Sequence, residues 1–367
     1  MKVPFFDYPR VFTDERDQLI EIIDSVGSKG AFILQEELSN FEKSLENFTG
    51  SNFAIGVGNA TDALEFGWMC ADLKPGDEVI ISSHTMLATA SAIITAGGIP
   101  VPVDIGDDNL IDPLAVESAV TSRTVGISPT QLNGRTCNMD AIMAIAKKKN
   151  LFVVEDSAQA LGSTFKGKHA GTFGNSGAIS FFPAKVLGSL GDGGAAICND
   201  KNIYERIWQL HEHGRSKDGE VLSWGRNSRL DNLQAAVLDF RLSSYNDVIF
   251  RRREIASMYQ ERLHDLDELS LPPAPSEDSD HFDVYQNYEL VAQNRDDLKS
   301  YLAENGIGTL IQWGGMAIHH YTNLGFDQKL PNTDTFFKKC IMFPMNIFLS
   351  DNDVDYICEK VRSFYRD

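Results

Sequence analysis

Short apolar runs alternate with longer stretches of helical length through the first two thirds of the chain. Lys74-Pro75-Gly76-Asp77 reads as a turn that leads into the extended run Glu78-Val79-Ile80-Ile81. Thr85 to Ala96 is small and apolar at helical length, Gly97-Gly98 stops it, and Ile99-Pro100-Val101-Pro102-Val103 is extended again. Val125-Gly126-Ile127, a helix over Met139–Lys149 and the run Leu151-Phe152-Val153-Val154 repeat the pattern. Strands that alternate with helices predict an α/β fold, with a mostly parallel sheet covered on both faces. In such a sheet ligands bind beyond the carboxyl ends of the strands. Residues just after those runs are therefore the first places to look for chemistry.

The texture changes near Leu238–Tyr245. Arg251-Arg252-Arg253-Glu254 through Leu263 has the charge of a solvated connecting helix, and Pro272-Pro273-Ala274-Pro275-Ser276-Glu277-Asp278 reads as a linker. Beyond it the pattern predicts a strand over Val284–Val291, a helix over Arg295–Glu304 and a closing helix over Val354–Arg366. The expectation is a large domain over residues 1–240 and a smaller α+β domain over 241–367.

The densest signal lies between Val153 and Gly194. Val153-Val154-Glu155-Asp156 places Asp156 directly after a buried strand, which makes it either a helix cap or an anion at the ligand face of the sheet. Lys185 is the only Lys or Arg between Lys168 and Lys201 and sits in the apolar, glycine-rich passage from Ser180-Phe181-Phe182-Pro183-Ala184 to Gly193-Gly194. A desolvated lysine has a lowered pKa, which is what a Schiff-base lysine needs. Upstream, Asn59-Ala60-Thr61-Asp62 reads as a capped helix start whose free amides suit a phosphate, and Ser180 can add a hydroxyl.

Composition narrows the ligand. The 367 residues carry 33 Lys+Arg against 52 Asp+Glu, a formal charge of −19, which disfavours a nucleic-acid partner. The longest charge-free stretch, Val79 to Val103, is too rich in polar residues, Gly and Pro to cross a bilayer. Five dispersed cysteines without CxxC spacing, and histidines without ligand spacing, predict neither a disulfide scaffold nor a metal site. A cytoplasmic protein is the expectation.

Five segments in order now resemble one family: Gly30-Ala31-Phe32-Ile33-Leu34, Gly58–Leu64, Glu155–Gly162, Ser180–Gly194 and Gly225-Arg226-Asn227-Ser228-Arg229-Leu230-Asp231. Together they resemble the DegT/DnrJ/EryC1/StrS sugar aminotransferases, pyridoxal-phosphate enzymes of the type I, aspartate-aminotransferase-like fold. The resemblance implies that Lys185 carries the cofactor as a Schiff base and later moves the substrate proton. It implies that Asp156 partners the pyridine nitrogen, so that the ring can accept electrons, and that Gln159 contacts the 3-hydroxyl. Ser180 and the amides of Ala60 and Thr61 would bind the phosphate. Asn227 would reach the phosphate of a neighbouring subunit, which implies a homodimer. The implied reaction takes an amino group from L-glutamate to a nucleotide-linked keto-deoxysugar, for a surface glycan, a lipopolysaccharide O-antigen or an antibiotic.

Two segments depart from the family pattern. Met86 stands where an aromatic residue usually stacks on the ring, and a thioether can pack on the same face. Gln312-Trp313-Gly314-Gly315 replaces a His-Tyr-Pro-type motif, so Trp313 and His320 either shape the sugar site or pack structurally. Arg229 is a further candidate for an anionic substrate. A related branch of dehydratases has histidine in place of the lysine, and a non-catalytic sugar-nucleotide sensor of the same fold is the other alternative.

Overall fold

The computed structural model describes residues 2–276 and 279–366. Its centre is a seven-stranded sheet in the spatial order Phe53–Val57, Gly194–Cys198, Ser176–Ser180, Phe152–Asp156, Thr124–Ser128, Glu78–Ser82, Ile99–Val103. Every neighbouring pair from Ser176–Ser180 to Ile99–Val103 is parallel, and Gly194–Cys198 runs antiparallel to both of its neighbours. Alternate side chains feed opposite cores. Val79, Ile81 and Val154 pack with the helix Ala60–Cys70 on one face, while Ile80, Ile127 and Val153 pack with the helix Met139–Lys149 on the other. Both faces are dry, which explains why these strands read as continuous apolar runs rather than alternating ones.

Helix and sheet approach so closely that glycine is needed. A Cβ on Gly126 would lie 2.5 Å from the Trp68 ring and 2.8 Å from the Phe152 carbonyl oxygen. A Cβ on Gly194 would lie 2.6 Å from the Ala60 nitrogen, so only glycine lets this strand begin against the start of the helix.

The C-terminal region has its own core around Ile255, Tyr259, Leu290, Phe343 and Val354, and Val3 from the chain start is buried in it. A three-stranded antiparallel sheet (Leu269–Ser270, Tyr288–Ala292, Cys340–Phe343) packs there with the helices Tyr245–Leu263 and Asp351–Arg366. The proline run leaves this small sheet after Leu269–Ser270 and leads to His281–Phe282, which pairs with Thr164–Phe165 in a separate three-stranded sheet; the Tyr285 hydroxyl donates to the Pro273 carbonyl at 2.7 Å. Glu277 and Asp278 of that run lie outside the described residues. The charged helix is not merely solvated, since Ile249, Arg252, Ile255, Ala256 and Tyr259 are buried. The strand expected over Val284–Val291 starts at Tyr288, because Tyr285 adopts a left-handed φ of 50° and Gln286 is bonded elsewhere.

Replacing Gly126 with Ala forces a methyl group against the Trp68 ring and the Phe152 carbonyl. Urea unfolding of Gly126→Ala should show a loss of about 1–3 kcal/mol; an unchanged midpoint would mean that the helix is not held at this distance.

Candidate active site

Asp156 ends a central strand and is 4% exposed. Its Oδ2 accepts from the Thr89 hydroxyl at 2.6 Å, and its Oδ1 from the Ala158 amide at 3.2 Å. Burial raises its pKa, while these two bonds and the charge of Lys185 act in the opposite sense. Burial also dominates at Lys185, lowering its pKa to about 8 even though Asp156 favours the charged amine. A lysine held there has a large neutral fraction near pH 8, so it can act both as a nucleophile and as a proton carrier.

The loop that carries Lys185 joins two adjacent antiparallel strands, whose ends meet where Ser180 pairs with Gly194. It is clamped from the C-terminal region by Gln286. The Val186 amide donates to Gln286 Oε1, and Gln286 Nε2 donates to the Ala184 carbonyl, both at 2.9 Å. The peptides on either side of Lys185 are thus fixed by one buried side chain. Lys185 also lines an open cleft with Phe5, Tyr8, Arg241, Gln286 and Phe348.

Ser180 and the helix start converge through the same strand pairing, because Gly194 faces Ser180 on one side and abuts Asn59 and Ala60 on the other. Asn59 Oδ1 accepts from the Asp62 amide at 3.0 Å, which leaves the first amides, Ala60 and Thr61, for a ligand. The Ser228 hydroxyl ties the next loop to this corner, donating to Asp62 Oδ2 at 2.6 Å and accepting from the Gly58 amide at 3.0 Å. Its neighbour Asn227 is exposed.

Gln159 is oriented by its partners. The Asn133 amide meets its Oε1 at 2.9 Å, and Asn287 Nδ2 meets the same oxygen at 3.3 Å. A backbone N–H can only donate, so the facing atom is the oxygen, and the amide nitrogen of Gln159 is turned away to donate elsewhere. Asn133 is held by Asn287, Glu289 and Gln312, and Glu289 reaches His84 Nε2 at 3.3 Å.

The remaining sequence candidates fall at different places. Met86 is 49% exposed at the start of the helix Leu87–Thr95. Trp313, with a left-handed φ of 46°, packs near His84 and Phe337. His320 accepts from the Ala317 amide at Nδ1, and its Nε2 meets Asp334 at 2.7 Å. Arg229 is ion-paired with Glu212 at 3.0 Å. His319, His320 and Asp334 are close enough to hold a metal ion. The Ala317 amide, however, places the ring proton of a neutral His320 on the nitrogen facing Asp334, which suits a hydrogen-bonded triad better than a metal ligand.

Residues 13–362 match the DegT/DnrJ/EryC1/StrS aminotransferase family. The chain belongs to that family. It is 34% identical to the "Pleiotropic regulatory protein" of Geobacillus stearothermophilus, over 100% of this chain and 99% of that protein. It is 36% identical to the dTDP-3-amino-3,6-dideoxy-alpha-D-galactopyranose transaminase of Aneurinibacillus thermoaerophilus, over 99% of each. Among solved structures, S. venezuelae DesV in complex with a ketimine intermediate superposes with a TM-score of 0.95 at 32% identity, covering 100% of this chain and 99% of that one. The Bacillus subtilis NtdA structure with bound PMP has a TM-score of 0.92 at 28% identity, covering 100% and 86%. The fold is therefore that of the pyridoxal-phosphate-dependent sugar aminotransferases, and the protein is an aminotransferase that depends on this cofactor.

The residues at this site fit that cofactor: helix amides left free for its phosphate, a buried carboxylate for its ring nitrogen, an oriented amide donor at Gln159 and an amine of lowered pKa at Lys185. Sequence reading missed Thr89, Asn133, Gln286 and Asn287. Only Thr85 and Thr89, hydroxyls four residues apart in a small apolar stretch, left a local signal.

In the cofactor-free protein, competitive acetylation of Lys185 should rise with pH and level off just above pH 8, because its pKa is lowered to about 8. Exposed lysines should continue to gain reactivity toward about pH 10. A Lys185 profile that follows theirs would contradict its desolvation.

Proposed function

We propose that the protein transfers the amino group of L-glutamate to the keto carbon of a nucleotide-linked deoxysugar, supplying an aminosugar for a surface polysaccharide, O-antigen or antibiotic. The observation that carries this reading is that the Lys185 loop and the buried Asp156 carboxylate meet at the ligand face of the sheet, where burial lowers the lysine's pKa to about 8. When bound, the cofactor supplies an electron sink for the carbon that exchanges nitrogen. Asp156 keeps the ring nitrogen charged, Gln159 donates to the ring's 3-oxygen, and Lys185 carries the proton that must leave one carbon and return to another. Ala60, Thr61 and Ser180 hold the phosphate, while Met86 packs against the ring face.

Relatives named for dTDP-, UDP- and GDP-linked aminosugars support a sugar nucleotide as the acceptor and leave its base open. In this reading residues 1–240 hold the cofactor and residues 241–367 cover the sugar, with Trp313, His320 and Arg229 as candidates for its contacts. The active unit is a homodimer in which Asn227 reaches the neighbouring phosphate. Its exposed position, three residues after Trp224, which is 93% exposed, supports that arrangement. Five cysteines, none in a disulfide, support a cytoplasmic setting. A sensor role, which the name of one relative brings to mind, is disfavoured because Lys185 and Asp156 are both in place. A dehydratase is disfavoured by the lysine itself.

Incubating the enzyme with glutamate and a panel of TDP-, UDP- and GDP-linked keto sugars, scored by mass spectrometry, should reveal amination of at least one. Lys185→Ala should lower that rate by about a thousandfold or more. Turnover like that of the wild type in this variant would sink the assignment.

A further inference from the structure

Asp156 stands at the end of a chain of three buried hydroxyls. Its Oδ2 takes a hydrogen bond from Thr89 Oγ1 at 2.6 Å, Thr89 Oγ1 lies 2.8 Å from Thr85 Oγ1, and Thr130 Oγ1 donates to Thr85 Oγ1 at 2.7 Å. Thr85, Thr89 and Thr130 are 1%, 0% and 4% exposed. The carboxylate fixes the polarity of the whole chain. An ionised carboxylate can only accept, so Thr89 must donate to it, which leaves the Thr89 oxygen to accept from Thr85 and the Thr85 oxygen from Thr130. Three O–H dipoles therefore point the same way and polarise one another toward the negative charge.

The chain also closes on the backbone of Asp156. The Asp156 amide donates to the Pro129 carbonyl at 2.9 Å, and the Gln131 amide donates to the Asp156 carbonyl at 2.8 Å, bracketing Thr130. The peptide and the carboxylate of one residue are thus tied to the same segment by two routes. Thr85 lies just beyond the strand Glu78–Ser82 and Thr130 just beyond Thr124–Ser128, so the loop stitches together the strand ends that form the floor of the site.

We propose that Thr89, Thr85 and Thr130 act as a positioning relay that keeps Asp156 ionised and aimed at the cofactor's ring nitrogen. None of the three needs to touch the reacting atoms. Their work is done through Asp156, whose Oδ1 accepts only from the Ala158 amide among the described residues and otherwise stays available to the ring. Because the relay rests on the reading of Asp156 as the nitrogen's partner, the test must separate the two.

The test uses full-length protein freed of cofactor and titrated with pyridoxal phosphate and with pyridoxamine phosphate. Binding is followed by tryptophan fluorescence and by the visible circular dichroism of the bound cofactor, and folding is checked by thermal melting. Thr89→Val should weaken binding about tenfold and alter the cofactor's dichroic band, because a hydrogen bond to a buried charge is lost. Thr85→Val, which leaves the bond to Asp156 in place, should weaken binding about threefold through lost polarisation, and Thr89→Ser should stay within about twofold of wild type. Asp156→Asn should weaken binding at least as much as Thr89→Val. Wild-type binding and dichroism in folded Thr89→Val, with Asp156→Asn impaired, would overturn the relay alone. Wild-type binding in Asp156→Asn would overturn the assignment of Asp156 itself. If Thr89→Val does not fold, Thr85→Val decides, and wild-type behaviour there would overturn the relay.

Discussion

A buried carboxylate, Asp156, and a lysine amine, Lys185, brought to the same sheet edge set the terms for this molecule. Burial acts on Asp156 and Lys185 in opposite directions: it lowers the amine to about 8, where it can exchange a proton, and it raises the acid against the opposing pull of Thr89, Ala158 and the charge of Lys185. A buried carboxylate is unfavourable unless its surroundings satisfy it. At the acid the hydroxyl of Thr89 and the amide of Ala158 do so, while the Gln286 clamp fixes the peptides on both sides of the lysine. Glu155, the residue before Asp156, points into the opposite layer. There it accepts from Gln131 and from the amides of Gly171, Phe173 and Gly174, all at 2.7 Å, holding the loop behind the site.

The sheet supplies the precision. Parallel strands bring Ser82, Ser128, Asp156 and Ser180 out at one edge, and the antiparallel Gly194–Cys198 starts there, so both ends of the Lys185 loop lie at that edge. A single missing side chain at Gly194 lets the loop's far end rest against the helix that offers its amides at Ala60 and Thr61. In the proposed reading, phosphate, ring nitrogen and reactive carbon would be addressed by three elements held in place by close packing and by the Gln286 clamp.

What could be read from the sequence follows from locality. The strands Ile99–Val103 and the helices Met139–Lys149 and Arg295–Glu304 match the predicted bounds, because apolar period and capping residues are written within a few positions. Lys185 and Asp156 stood out because each is the wrong kind of residue for its apolar neighbourhood. The supporting shell was invisible for the opposite reason. Gln286 acts on a loop 100 residues away, and Thr89 on an acid 67 residues away, so no local pattern announces them. The strand expected from Val284 failed on the same point: Gln286 leaves the ladder to hold the lysine loop. The charged helix Tyr245–Leu263 misled because three consecutive arginines hide a buried face that includes Arg252.

The net charge of −19 belongs to the surface, while the proposed ligands are anions. Their binding must come from oriented amides, a few hydroxyls and one lysine inside an otherwise acidic protein. The most direct test of the account is the first half of the reaction alone. Purified protein with its cofactor is mixed with L-glutamate and no sugar, and the visible absorption and 2-oxoglutarate are followed together. The account predicts loss of the cofactor's visible band with one 2-oxoglutarate formed per site. A band that persists with no 2-oxoglutarate would contradict it.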